Sequence, residues 1–461
     1  MSLVSTDFSK EEIFQSSAWY GASTFFMRGI AALNTFVIIY FLTLYEYGVF
    51  KLLLSLVGIF QSFVLSGLDG VIRNEIAHHI KDNQEKNAAQ LFFEFFLVKG
   101  FIAIVIWAFL VVIIKVYFFK LYDSNFIDIL LLASFTILLT FLSNSFSLFY
   151  RGIGAITLMS KINSGIEVTK LIVLAIVFWW LSPSIKSVII VIIISQLISH
   201  VTYLFFARSD LRLWWRWYGF GSWSLSWQVL KNHGKWSLAT NVLSSLLSSG
   251  RNYIVKFLIS TEAVAIWSMA LSMMSFLYSL IPSNKILAIF LPYKIKLGNL
   301  KAGYYRSYVK YLTVAYVVLM ALGWVGSFVV VNLFFPAYRP SLPIFFIMSL
   351  VLIFAGVNDF VSAYLYTLRH QKIIFYRTLQ KSILTIVFMF IFVKLFGYIG
   401  LGLEYLLTTT CLALFSYISL IRVYPELKLS WRDFRSNRND WRYVMAKISN
   451  LVRKTRNDKL S

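Results

Sequence analysis

From Ser16 to Arg422 the chain alternates long apolar runs with short polar connections. About 20 consecutive apolar residues cross ~30 Å of hydrocarbon as a helix. The runs lie at roughly 16–42, 48–68, 88–116, 126–147, 163–181, 186–207, 233–259, 262–282, 306–333, 343–367, 375–396 and 398–422. They predict an all-α polytopic membrane protein of about 12 transmembrane helices. Charges interrupt some runs well inside: Arg28, Lys99, Arg251 and Lys256. A charge at that depth costs at least ~2.5–3.5 kcal/mol, so it normally faces a wet cavity or a partner.

The apolar pattern repeats. At an offset of 216, FLTLYEYGVF (Phe41–Phe50) falls over FLISTEAVAI (Phe257–Ile266), with Glu46 above Glu262, and WYGAST (Trp19–Thr24) over KWSLAT (Lys235–Thr240). Two six-helix bundles around a central cavity follow, as parallel repeats related by an axis along the membrane normal. The division reads 1–207 for the N-terminal half, 208–232 for a Trp/Arg-rich interfacial linker, 233–422 for the C-terminal half and 423–461 for a basic cytoplasmic tail. Six of the 14 tryptophans fall between Trp214 and Trp236, interleaved with Arg216 and glycines, which suits a segment in the headgroup layer.

Charge then sets the orientation. With both termini in the cytoplasm, about 32 basic residues lie on inner loops and tail, against about five outside (Lys115, Lys120, Lys186, Arg339 and Lys394). The +23 net charge is thereby explained by anionic membrane lipid rather than nucleic acid. A 59% hydrophobic, 14% charged composition excludes an ordinary soluble globule. The polar, acidic start, MSLVSTDFSKEE, reads as no cleavable signal peptide, and the lone Cys411 excludes a disulfide framework.

On the first helix Thr24, Arg28 and Thr35 share one side; on the seventh, Asn241, Ser244, Ser248 and Arg251 recur at helical spacing. Two such stripes would line a shared cleft and bind an anion, with Lys99 and Lys256 as further cations. The alternative is Ser/Thr packing with each Arg satisfied by a carboxylate. Glu94, Asp359 and Glu404 are candidates for exchanging a proton or sodium ion. Other expectations are bland: an Asp69–Arg73 pair, a Glu167–Lys170 pair, Glu94 beside Lys99 or a cavity Arg, and Lys51 at a helix start near the interface.

FLTLYEYGVFKLLLSLVGIFQSFVLSGLDGVIRNEIA in the first half and NYIVKFLISTEAVAIWSMALSMMSFLYSLIPSNKILAIFLP in the second resemble the second-helix and the seventh- and eighth-helix segments of the polysaccharide (O-antigen) flippases. These belong to the multidrug/oligosaccharidyl-lipid/polysaccharide exporter superfamily. FFPAYRPSLPIFFIMSL and FGYIGLGLEYLLTTT are similar to the surroundings of its tenth and twelfth helices. The resemblance covers nearly the whole chain and is diffuse. It implies flipping of polyprenyl-pyrophosphate-linked oligosaccharide across a bacterial inner membrane, alongside polysaccharide polymerase machinery, with no catalytic residue, cofactor or metal. Where family members often carry an acid in the seventh helix, this chain has Arg251 and Asn252, which leaves a coupling role for that position open. A multidrug antiporter of the same superfamily would favour acidic cavities. A polymerase or glycosyltransferase would need catalytic outer loops, and Asp123 and Asp128 form no metal-binding pair. No GxxxxGK[ST] motif is present for ATP hydrolysis.

Overall fold

Each apolar run folds as a helix, and short polar residues at the connections cap the ends. The computed structural model describes residues 10–117, 124–219, 234–281, 302–367 and 371–429 and the single positions 227, 231 and 287, with residues 10–25 as backbone only. In the N-terminal half these are α1 (Lys10–Phe41), α2 (Leu44–Gln61), α3 (Asp69–Lys81), α4 (Glu85–Val116), α5 (Ser124–Gly152), α6 (Ile156–Trp180) and α7 (Ile185–Trp217). In the C-terminal half they are α8 (Lys235–Leu258), α9 (Thr261–Ser279), α10 (Ala302–Phe334), α11 (Ser341–Ser349), α12 (Ala355–Thr367), α13 (Gln371–Phe396) and α14 (Tyr398–Val423). Thr43 caps α2 in a capping box with Glu46, and the Ser260 hydroxyl accepts from the Ala263 amide to cap α9. The Trp-rich 220–226 segment, most of the connection to α8, and the tail beyond Leu429 lie outside the described residues. Helix α7 runs on through Trp217, past the expected boundary at 207.

The chain is a multi-pass membrane protein. Among the described residues nine helices are long and apolar enough to cross a bilayer. Their perimeter carries bare apolar side chains, including Phe101, Phe205, Val325 and Leu395, each well over half exposed. A surface that apolar suits lipid and not water. Serine-rich α8 falls outside the nine, because one of its faces is polar.

Two expected spans are broken helices. The run at 48–68 ends its helix at Gln61; a turn with Leu65 in the left-handed region (φ 52°) then leads through a short 3₁₀ segment into α3. An L-residue there costs about 1–2 kcal/mol. The run at 343–367 divides into α11, a 3₁₀ stretch over Leu350–Phe354, and α12.

The halves repeat each other's packing. Helix α1 lies on α6 and reaches across to α9, while α8 lies on α13 and reaches across to α2. Both repeats turn at a tight hairpin on one face of the molecule, Leu42–Thr43 and Ile259–Ser260, hereafter the hairpin face. The caps Thr43 and Ser260 set the structural offset at 217, one more than the sequence match implies.

Contact between the halves runs down α2 through glycines. A Cβ on Gly48 would sit 2.2 Å from the Thr261 carbonyl oxygen, one on Gly58 2.8 Å from the Ser249 hydroxyl, and one on Gly67 2.7 Å from the Ser237 carbonyl oxygen. In lipid, apolar burial between helices gains little, so close backbone approach at small residues carries association. Tyr253 donates to the Leu52 carbonyl (2.9 Å), Asn252 to the Ser55 hydroxyl (2.7 Å) and Ser237 to the Gly67 carbonyl (2.5 Å).

Apolar packing is asymmetric across the membrane. Near the hairpin face one core joins both halves, with Ile38, Tyr47 and Phe50 packed alongside Ala263, Phe335 and Tyr338. Phe36 stacks on Phe335 at 5.6 Å, and Tyr47 meets Tyr338 edge-on at 6.2 Å. Towards the opposite face the core splits in two. One part, around Phe92, Phe149 and Trp214, belongs to the first half; the other, around Tyr305, Phe360 and Tyr364, belongs to the second. The two separately packed parts stand as the arms of a V, joined at the hairpin face and, along one side, by the α2–α8 contact that continues down to Gly67.

Candidate functional site

Helical geometry places Arg28 in the V. Phe26, Leu33 and Tyr40 recur every seven residues and are 55%, 54% and 65% exposed, which marks the lipid face of α1. At about 100° per residue, Arg28 projects roughly 140° away from the middle of that face. It is nonetheless exposed. Among the described residues it pairs with no carboxylate. The α1–α2 hairpin gives the depth: Arg28 lies roughly 20 Å below the hairpin face at 1.5 Å per residue. The Thr24 side chain lies outside the described residues.

Across the V, Ser244 and Ser248 are exposed on α8, between its side packed on α2 and its side packed on α13. Asn241 is half-buried, its Cβ against Gly67. Helix α13 adds a further cation, inside the run at 375–396. Lys381 is exposed although Ile383, Ile386, Val387 and Phe390 mark the lipid side of that helix on the opposite face. It lies roughly 20 Å below the hairpin face, level with Arg28.

Arg251 is in different surroundings from Arg28. It donates to Glu404 Oε1 at 2.6 Å and to the Thr385 hydroxyl at 3.4 Å, and its guanidinium lies 5.1 Å from the Trp267 ring centroid and 5.8 Å from that of Tyr405. Glu404 is fully buried and also accepts from Thr408 at 3.1 Å. The 217 offset explains this. Arg251 is the equivalent of Asn34, which is 1% exposed and donates to Glu167 at 3.3 Å within its own half. Each half thus holds a donor–carboxylate pair between its helices. One residue of offset is 100° of helix rotation, enough to turn a cleft-facing position into a bundle-facing one.

The other candidates scatter. Lys99 is buried and donates to Asp69 at 2.5 Å, and the Arg73 charge expected beside Asp69 also acts on that carboxylate. Burial raises the Asp69 carboxyl above its ordinary value, and the Lys99 charge opposes the shift. Lys256 is exposed in the last turn of α8, beside the 83% exposed Phe257, where its stem can snorkel to the interface. Glu94 is buried and accepts from Gln90 at 2.9 Å; Asp359 is buried and accepts from the Tyr278 hydroxyl. The three carboxylates therefore occupy three separate places. Glu167 accepts from Asn34 and forms no ion pair with Lys170. Among the described residues no three His, Cys, Asp or Glu side chains converge as a metal site.

Lys51 is a further cation as well. The helix begins at Leu44, so Lys51 is two turns in, not at the start, and roughly 10 Å below the hairpin face. It is half-buried on the side of α2 that meets the other half, between Gly48 and Ser55. Its ammonium lies 5.1 Å from the Tyr47 ring centroid and 6.0 Å from that of Phe50, with no carboxylate partner among the described residues. A ring contact returns ~0.5–2 kcal/mol, less than the ~2.5–3.5 kcal/mol cost of a charge at depth.

The architecture has known counterparts. An inward-facing multidrug resistance MATE family transporter of the MOP superfamily superposes with a TM-score of 0.66 at 13% identity, covering 88% of this chain and 96% of that one. A Vibrio cholerae MATE transporter gives 0.63 at 13% identity, covering 89% and 98%. A MOP superfamily transporter from Pyrococcus furiosus, described as having a binding pocket of reversed polarity that suggests a different function, gives 0.63 at 12%, covering 90% and 96%. The fold is that of the MATE transporters. No family model and no curated protein matches the sequence.

Proposed function

We propose that this chain exports an anionic, polyprenyl-pyrophosphate-linked oligosaccharide across a bacterial inner membrane by alternating access of its two halves. Arg28 is the observation that carries the reading: an exposed, unpaired cation among the described residues, facing the V at depth. Lys381 stands level with it from the other half. Arg suits a phosphoryl group through its planar fork of donors, with Lys as a point charge beside it. Ser244, Ser248, Asn241 and Thr35 supply neutral donors and acceptors for sugar hydroxyls. The open face is the one expected in the cytoplasm from the distribution of basic loops, so the molecule stands ready to load from inside. Anionic lipids gather at that face.

Arg28→Ala is expected to abolish glycan export with membrane expression intact, and Arg28→Lys to retain part of it. Wild-type export by Arg28→Ala would overturn the reading. Multidrug export is the second reading, favoured by the similar structures' descriptions and by the buried acids Asp359 and Glu404. It predicts that drug resistance falls on loss of those acids and is indifferent to Arg28.

A further inference from the structure

We infer that Lys51 forms a second phosphoryl-anion subsite at the closed apex of the V, distinct from the one at Arg28 and Lys381. The inference rests on the carrier reading and extends it to how the anion moves through the molecule. Arg28 and Lys51 descend from one hairpin, to depths of roughly 20 Å and 10 Å, so they stand about 10 Å apart along the membrane normal. Lys51 stands nearer the hairpin face than Arg28, so the two cations meet an outward-moving anion in succession.

The surroundings of Lys51 fit an anion. Its ammonium has ring faces and no carboxylate near it among the described residues. Ser55 and Asn252, a turn further from the hairpin, bring a hydroxyl and an amide from opposite halves to 2.7 Å of each other. Arg251, at the same depth in the second half, is already committed to Glu404. Among the described residues Lys51 is therefore left as the cation able to take the load where the halves meet. When the halves rock, the contacts from Gly48 to Thr261 and from Tyr47 to Tyr338 must part, and Lys51 then faces the hairpin side. An anion held there has crossed most of the bilayer.

Lys51→Met separates this role from a structural one. Thermal melts of the full chain in nanodiscs, with inorganic pyrophosphate titrated in, are paired with export assays. Removing an unneutralised, half-buried charge is expected to raise the melting temperature of the apo protein while export falls at least tenfold, and Lys51→Arg is expected to restore export. Pyrophosphate should stabilise the wild type, stabilise Lys51→Met and Arg28→Ala less, and leave the double variant unmoved. A lowered apo melting temperature in Lys51→Met would make the residue a structural one and overturn the proposal. So would wild-type export together with an unchanged pyrophosphate response. Failure of the carrier reading itself has a different signature: no export of lipid-linked glycan by the wild type, with a pyrophosphate response that still depends on Lys51.

Discussion

Glu404 is fully buried beside one guanidinium, and its Oε2 has no hydrogen-bond partner. Arg251→Met would leave that carboxylate bare, at a cost of about 3–5 kcal/mol, which is typical when one member of a buried pair is removed. The double variant Arg251→Met/Glu404→Leu is expected to recover most of the loss. Melting temperatures of the single and double variants check this, and a double variant no better than the single would contradict it. Polarity and depth of Arg251 were legible in the sequence, but its direction was not. The match at 216 placed Arg251 over Thr35, whereas the capped hairpins place it over Asn34. The direction of Arg28 was legible because Phe26, Leu33 and Tyr40 mark the lipid face on the same helix. Lys51 and Lys381 were hidden for a plainer reason: each sits within two turns of the expected end of its span, where a long stem can snorkel to the interface.

Helices α2 and α9 meet where Gly48 lets the Thr261 carbonyl approach. Gly48→Ala is expected to push the two hairpins apart and lower the melting temperature by several degrees. Gly29→Ala, with nothing within 4 Å of the added carbon, should be neutral or stabilise by roughly 0.5–1 kcal/mol, as expected in a helix interior. Equal effects at the two positions would show that helix propensity, not the meeting of the halves, governs the site. Among the described residues, nine spans could be read from apolar length. The breaks after Gln61 and at Leu350–Phe354 could not, since apolar residues continue through both and composition does not report a change of backbone path. What maintains the first break is tertiary: α8 closes on Gly67 through Ser237.

The whole molecule is one apolar core near the hairpin face and two beyond it, so rigid rocking would exchange which face is sealed. Joining Glu46→Cys to Glu262→Cys with a short bismaleimide, in a Cys411→Ser background, should hold the hairpins together and stop export; undiminished export by the linked protein would rule out rocking at that seam. An inside-negative potential favours outward movement of an anion by ~2.3 kcal/mol per charge per 100 mV. Glu94, Asp359 and Glu404 each already hold a hydrogen-bond donor, so we expect export to follow the potential and to ignore imposed proton and sodium gradients. The most direct test of the central claim is flipping of a fluorescent polyprenyl-pyrophosphate oligosaccharide in proteoliposomes under a clamped potential, read by its accessibility to an added glycosidase. The account predicts movement catalysed by the wild type and reduced at least tenfold by Arg28→Ala; equal rates for the two proteins, or no movement above empty liposomes, would contradict it.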